Sequence, residues 1–187
     1  MLRSILTAFV CLALVLGNLS GAGPVPRPAG EFVVKTIPSG QHLVSQYKGK
    51  VVLLTFFLTT CPHCQQSSMI LSKLQNEFGP KGLQVLGAAF NPMSHMVITD
   101  FIKQFRPTYP VGYASREDVL AYMQHSPIMQ LYVPIILLID KKGVIQHQFM
   151  GEDPIMQNQE KGLRELIEVM LKEGPSSMKK TSSTAKK

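Results

Sequence analysis

The sequence predicts an α/β fold, with helices packed on both sides of a central mixed β-sheet. Three observations carry that expectation. Two apolar runs, VVLLTFFL (51–58) and LQVLGAAF (83–90), are long and β-branched enough for buried strands. Each is followed by a stretch with apolar residues at helical spacing. Near the end, PIILLID (134–140) and VIQHQFM (144–150) flank the turn Lys141-Lys142-Gly143, the pattern of an antiparallel hairpin. Alternating strands and helices that close in a hairpin and a helix build a layered sandwich.

Taken in order, Phe32–Ile37 reads as a short strand and SGQHLVSQYKGK (39–50) as turns leading into the strand at 51–58. Thr59 and Thr60 offer helix caps, and Pro62 fits a first helical turn. Met69, Ile70, Leu71, Leu74 and Phe78 then recur on one face until Gly79-Pro80 stops the helix. After the second strand, Ser94–Phe105 carries Val97, Ile98, Phe101, Ile102 and Phe105 as a helical stripe. YPVGYA (109–114) is a short strand, REDVLAYMQ (116–124) a short helix, and residues 159–173 a final helix burying Leu163, Leu166, Ile167 and Met170. Asn91-Pro92 is placed in a loop at the carboxyl end of the sheet, where open α/β sheets bind ligands. The chain shows no internal repeat.

At 187 residues and 45% apolar composition the chain suits one domain, here 31–173. Residues 1–22 have Arg3, an uncharged apolar run from Ile5 to Gly17 and the small residues Ser20, Gly21 and Ala22, the layout of a secretory signal peptide. The other reading is an uncleaved membrane anchor, although a span needs about 20 apolar residues. GPVPRPAG (23–30) reads as a proline-rich linker. Residues 174–187 are rich in Ser, Thr and Lys, without apolar periodicity, and read as a disordered basic tail. The net charge of +7 lies mostly there. Setting aside Arg3 and the four tail lysines leaves 14 basic against 12 acidic residues, a balance that argues against a nucleic-acid-binding body.

Removal of the first 22 residues takes Cys11 with it and leaves Cys61 and Cys64 as the mature chain's cysteines. In an exported protein such a pair sits where disulfides persist, so thiol chemistry leads, with a periplasmic or other extracytoplasmic site of action. The pair forms CPHC at a strand-to-helix junction. Unpaired N–H groups and the helix dipole there favour negative charge, and a thiolate is the reactive form of cysteine. Cys61 is placed to attack and Cys64, one turn on and less exposed, to resolve the mixed disulfide. A His63 ring close to Cys61 would stabilise that thiolate further. Stabilising the reduced form makes the disulfide a stronger oxidant.

The strand VVLLTFF, the CPHC that opens a helix and, some seventy residues later, the strand YVPIILLID headed by a proline resemble the thioredoxin superfamily. YKGKVVLLTFF and the 91–133 segment are similar to its exported TlpA/ResA-like branch, while CPHC itself is similar to the DsbA oxidases. The resemblance spans roughly residues 31–173 in element order. It implies a thioredoxin-like fold with an inserted strand and helix, and thiol-disulfide oxidoreductase activity on protein thiols and disulfides. It also implies a cycling Cys61–Cys64 disulfide tuned by Pro62 and His63, a redox partner that recycles the pair, and no dissociable cofactor. Pro134 matches the cis-proline that faces the cysteines, with Val133 before it offering its backbone to a bound peptide.

Three departures bear on direction. No tryptophan precedes the cysteines, whose neighbourhood holds Phe57 and Thr60. Thr55 stands where thioredoxins bury an acid, and Ser67 stands where TlpA/ResA-like proteins often carry glutamate. A pair lacking carboxylates to accept the Cys64 proton favours oxidation or isomerisation over reduction.

Other chemistries remain open beside this one. An inert disulfide staple would seldom sit at a helix start. A structural zinc site needs four ligands, and no second cysteine pair exists. A peroxiredoxin-type peroxidase would expect a proline and threonine spacing before Cys61 that is absent. Copper handling would draw on Cys61, Cys64, His63 and the run Met93-Ser94-His95-Met96, soft ligands suited to Cu(I), whereas Met96, Met123 and Met170 fall on helical patterns as core filler. His42, His125 and His147 read as surface or satisfied histidines. Membrane contact is expected only through an uncleaved N-terminal segment.

Overall fold

The computed structural model describes residues 23–172. The expected signal peptide with Cys11 and the basic tail lie outside the described residues.

Eight strands form one mixed sheet. In chain order they are β1 (Arg27–Pro28), β2 (Val33–Lys35), β3 (Gln41–Leu43), β4 (Val51–Phe57), β5 (Leu83–Ala89), β6 (Val111–Tyr113), β7 (Ile135–Ile139) and β8 (Val144–Phe149). The helices are α1 (Pro62–Phe78), α2 (Ser94–Phe105), α3 (Arg116–Met123) and α4 (Gln159–Lys172). Across the sheet the order is β1-β8-β7-β4-β5-β6-β2-β3. β4 lies between β5, to which it is parallel, and β7, to which it is antiparallel, so its seven residues are all buried.

The pleat of β4 divides the core in two. Val51, Leu53 and Phe57 face one layer, which holds Leu71, Leu74 and Phe78 of α1 and Leu163, Ile167 and Met170 of α4. Val52, Leu54 and Phe56 face the other, with Phe32, Val34 and, from α3, Val119 and Met123. Burying each such side chain is worth about 1.5–3 kcal/mol. This two-sided burial holds the carboxyl end of β4, and the segment that follows it, in a fixed place.

Three sequence expectations change. The proline-rich stretch 23–30 is no free linker: Arg27 and Pro28 pair with Ile145 and Val144, and Ala29 N–H donates to the Gly143 carbonyl at 2.9 Å. The buried Arg27 guanidinium fastens the stretch further, donating to the carbonyls of Pro24 and Tyr122 and to Gln148 Oε1. Prolines are tolerated here because β1 is an edge strand. The expected turns at 39–50 contain β3, whose pairing with β2 was hidden because QHL holds a single apolar residue. Finally, α2 buries only part of its apolar stripe. Ile98 and Phe101 are in the core, while Val97 and Ile102 are surface residues.

The β7–β8 hairpin forms as expected. Gly143 takes a positive φ of 82°, and Asp140 Oδ1 accepts the N–H groups of Lys142 and Val144 at 2.8 and 3.0 Å.

Candidate active site

Phe57 ends β4, and three residues, Leu58 to Thr60, lead to Cys61. Cys61 itself is the N-cap of α1, with extended backbone angles (φ −82°, ψ 119°), and Pro62 takes the first helical position. Its Sγ accepts the Cys64 N–H at 3.4 Å, and its carbonyl accepts the Gln65 N–H at 3.0 Å. The expected threonine caps are therefore displaced. The hydroxyl and N–H of Thr59 are both turned to Asn91 and its carbonyl to Gln65, which leaves the first turn of α1 to the cysteine sulfur.

Cys61 is half-buried and Cys64 fully buried, and both carry free thiols. Burial pushes the Cys64 thiol well above its ordinary range, opposed by a hydrogen bond with the Leu58 backbone. The two sulfurs thus differ in kind, one half-buried at a helix N-terminus and the other fully buried, its thiol raised by burial.

His63 is exposed and lines a groove of about 510 Å³ together with Gln66, Ile70, Pro134, Glu152 and Met156. No hydrogen bond joins its ring to Cys61 among the described residues, so the expected tuning by direct contact is absent from this arrangement. Pro134 is buried at the head of β7 and follows a cis peptide bond with Val133. Gly151 packs directly on Val133, since a Cβ at 151 would fall 2.4 Å from the Val133 carbonyl oxygen. Any larger residue there would force the Val133-Pro134 segment to shift. The groove therefore joins CPHC to Pro134, and Glu152, Asp153 and the start of α4 form its far wall.

The two missing carboxylates have specific replacements. Thr55 is buried and donates its hydroxyl to the Ile135 carbonyl at 2.9 Å. Ser67 is buried and accepts from Gln159 Nε2 at 2.8 Å. On the next position Ser68 is paired with the Tyr109 hydroxyl at 3.0 Å, and burial pushes that phenol up to about 12. The underside of the cysteine pair is thus polar but uncharged.

The Met93–Met96 run lies at the start of α2 beside a second groove, lined also by Lys35, Asn91, Tyr113 and Arg116. Met93 and Met96 are each 60% exposed. Among the described residues no group of three or more His, Cys, Asp or Glu is placed to hold a metal ion. His42 is paired with the Tyr47 hydroxyl and His125 with the Ser126 carbonyl, so both are satisfied locally.

The Gly151 contact and the Gln159–Ser67 pair have no local sequence signature, since each joins residues well separated in the chain. Asn91 carried a signal, as the first polar residue after a buried parallel strand.

This sheet order with a CxxC at the head of the first long helix defines the thioredoxin-like class of protein. The chain belongs to the Redoxin family, which it matches over residues 27–167, and is a TlpA/ResA-like member of the thioredoxin superfamily. It is 29% identical over 132 residues to the thioredoxin-like protein YneN of Bacillus subtilis, covering 67% of this chain and 71% of that one. It is 25% identical over 127 residues to thiol-disulfide oxidoreductase ResA of Geobacillus kaustophilus, covering 68% and 70%. Among solved structures, a thiol:disulfide interchange protein from Chlorobium tepidum matches with a TM-score of 0.64 at 22% identity, over 80% of this chain and 99% of that one. The thioredoxin domain of a thiol-disulfide oxidoreductase from Bacteroides vulgatus matches with a TM-score of 0.62 at 18% identity, over 78% and 99%. These likenesses make the protein an oxidoreductase of the thiol-disulfide class.

Proposed function

We propose that this protein is an exported thiol-disulfide oxidoreductase that works through a Cys61–Cys64 redox pair. The observation that supports it best is the asymmetry of the two sulfurs: Cys61 Sγ caps α1 and accepts the Cys64 N–H, while Cys64 is buried and keeps its proton. The helix N-terminus favours charge on the outer sulfur, and access is what an attacking thiolate needs.

In the oxidising direction a substrate thiolate attacks Cys61 Sγ of the Cys61–Cys64 disulfide, and Cys64 leaves as the reduced sulfur and takes up a proton. A second substrate thiolate then attacks the mixed disulfide and releases Cys61 as thiolate. The substrate ends two electrons oxidised, the pair two electrons reduced, and a recycling partner restores the disulfide. Thr55 and Ser67 offer no carboxylate to take the Cys64 proton in the reverse reaction, which favours oxidation or isomerisation. The groove between His63 and Pro134 is the docking place for the substrate polypeptide, with the Val133 backbone as a pairing edge and Pro62 fixing the first turn of α1.

Export rests on the apolar segment 5–17 and the small residues before Gly23, and places the pair in a disulfide-permissive compartment. Among the described residues no helix is long and apolar enough to cross a membrane.

The reduction potential of the Cys61–Cys64 pair tests the direction. Equilibration with glutathione should give a value clearly more oxidising than the roughly −270 mV of thioredoxin, each 30 mV being about 1.4 kcal/mol of stabilisation of the reduced form. A value at or below that figure overturns the oxidising reading. Loss of insulin or scrambled-ribonuclease exchange in Cys61→Ser tests the activity itself.

A further inference from the structure

The link between β4 and Cys61 is only three residues long, and its middle residue is clamped on every polar atom. Thr59 is buried. Its N–H and its hydroxyl both donate to Asn91 Oδ1, at 3.1 and 3.2 Å, and its carbonyl accepts from Gln65 Nε2 at 2.9 Å. Asn91 is itself fixed. It follows Phe90, whose N–H donates to the Phe57 carbonyl at 3.1 Å and so carries the β4–β5 pairing one residue further. The Asn91 carbonyl accepts the Ser94 N–H at 3.0 Å where α2 begins, and Asn91 Nδ2 donates to the Pro92 carbonyl at 3.2 Å. One amide oxygen from the neighbouring strand's end therefore sets the turn from which both sulfurs hang. That turn contacts the pair directly, since Cys61 N–H donates to the Leu58 carbonyl at 3.2 Å and the Leu58 backbone is hydrogen-bonded to Cys64.

We infer that Asn91 is a positioning residue for the redox pair: through Thr59 it holds Cys61 Sγ at the N-terminus of α1. This rests on the reading of Cys61 as the attacking sulfur. Among the described residues no other side chain takes up these two donors of Thr59. An apolar residue at 91 would leave both without a partner in a buried turn, a state that costs more than the bond itself is worth. The turn would then rearrange to reach water and carry Cys61 away from the first-turn N–H groups. Asn91 also lines the second groove, with Met93 and Tyr113, so the same residue touches both that groove and the turn.

Four proteins test this: wild type, Asn91→Ala, Thr59→Val and Thr59→Ser, each reduced and well below its melting temperature. The readouts are the rate of Cys61 alkylation by iodoacetamide at fixed pH, with Cys64 replaced by Ser in every protein, and the glutathione reduction potential of the intact pair. Asn91→Ala should slow alkylation about tenfold, the factor that corresponds to about 1.4 kcal/mol, and shift the potential. Thr59→Val, which loses only the hydroxyl contact, should show the same effect in smaller measure, and Thr59→Ser should match wild type. Unchanged alkylation and potential in Asn91→Ala, with only the melting temperature lowered, would make Asn91 a structural brace and overturn the inference. Should Asn91→Ala fail to fold, a Thr59→Val protein indistinguishable from Thr59→Ser overturns it equally. Alkylation needs no protein substrate, so a wild type inactive in disulfide exchange would sink the functional reading while leaving this test intact.

Discussion

The side-chain amide of Gln159 donates to the hydroxyl of Ser67 at 2.8 Å, and both side chains are buried where α4 meets α1 one turn beyond Cys64. A neutral pair thus occupies the position at which TlpA/ResA-like proteins often place a glutamate. It ties the two helices together and sets a hydroxyl, not a carboxylate, at this position.

Replacing that pair should change stability and chemistry separately. Ser67→Ala leaves Gln159 Nε2 unpaired and should cost about 1–3 kcal/mol in urea unfolding, with little change in exchange rate. Ser67→Glu supplies a proton acceptor and should speed release of a Cys61 mixed disulfide on the order of tenfold or more at neutral pH, because positioned general bases act at that scale. Single-turnover release of a fluorescent thiol from the mixed disulfide measures it. No acceleration would mean that proton removal from Cys64 does not limit the step.

The unequal burial of the two sulfurs predicts their roles under trapping. Cys64→Ser should accumulate a covalent adduct on Cys61 when mixed with a disulfide-bonded peptide, visible as a peptide-sized mass increase that dithiothreitol removes. Cys61→Ser should form none, since Cys64 is only 2% exposed. Fast hydrogen peroxide turnover that survives Cys64→Ser would instead favour a peroxidase.

Alkaline destabilisation follows from burial. The Cys64 thiol is raised from its ordinary 9.0 and the Tyr109 phenol from 10.0 to about 12. Both groups hold their protons more tightly folded than unfolded, so the stability they contribute is complete below the unfolded values and is lost as pH climbs toward the folded ones. The melting temperature of the reduced protein should therefore fall from about pH 9 upward. The disulfide form, with no Cys64 thiol, should begin its decline only near pH 10, and Tyr109→Phe should flatten the fall between pH 10 and 12. Parallel curves for the reduced form, the disulfide form and Tyr109→Phe would contradict this assignment.

Leu71 lies fully buried on α1, one turn beyond Ser67, in the core layer shared with α4. Leu71→Ala should cost about 2–5 kcal/mol by the cavity it opens, read as a lower urea midpoint at unchanged m-value.

The buried strands and long helices were legible because their signals are local and strong. VVLLTFF is β4 to within a residue, and Ser94–Phe105 is α2 at both ends. The cysteine pair at a helix start was equally plain. What escaped were features made by partners distant in sequence. Arg27–Pro28 looks like linker because two residues beside prolines carry no periodicity, and only β8 turns them into a strand. QHL has too few apolar residues to announce β3. Thr59 has the chemistry of an N-cap and lost that role to competition, since Asn91, thirty-two residues on, accepts from both of its donors. His63 stands in the right motif, yet its side chain faces the groove, a direction that spacing alone does not fix.

The outermost strands of the sheet are two and three residues long, β1 against β8 on one side and β3 against β2 on the other. A long bare edge would present a row of unpaired backbone groups to any extended polypeptide and invite aggregation. Here Pro26 and Pro28 interrupt the donors along one margin, and a 3-10 turn at Val44–Tyr47 ends the other. An extended chain thus finds almost no template for strand addition along either margin, which leaves the described sheet protected against edge-to-edge association.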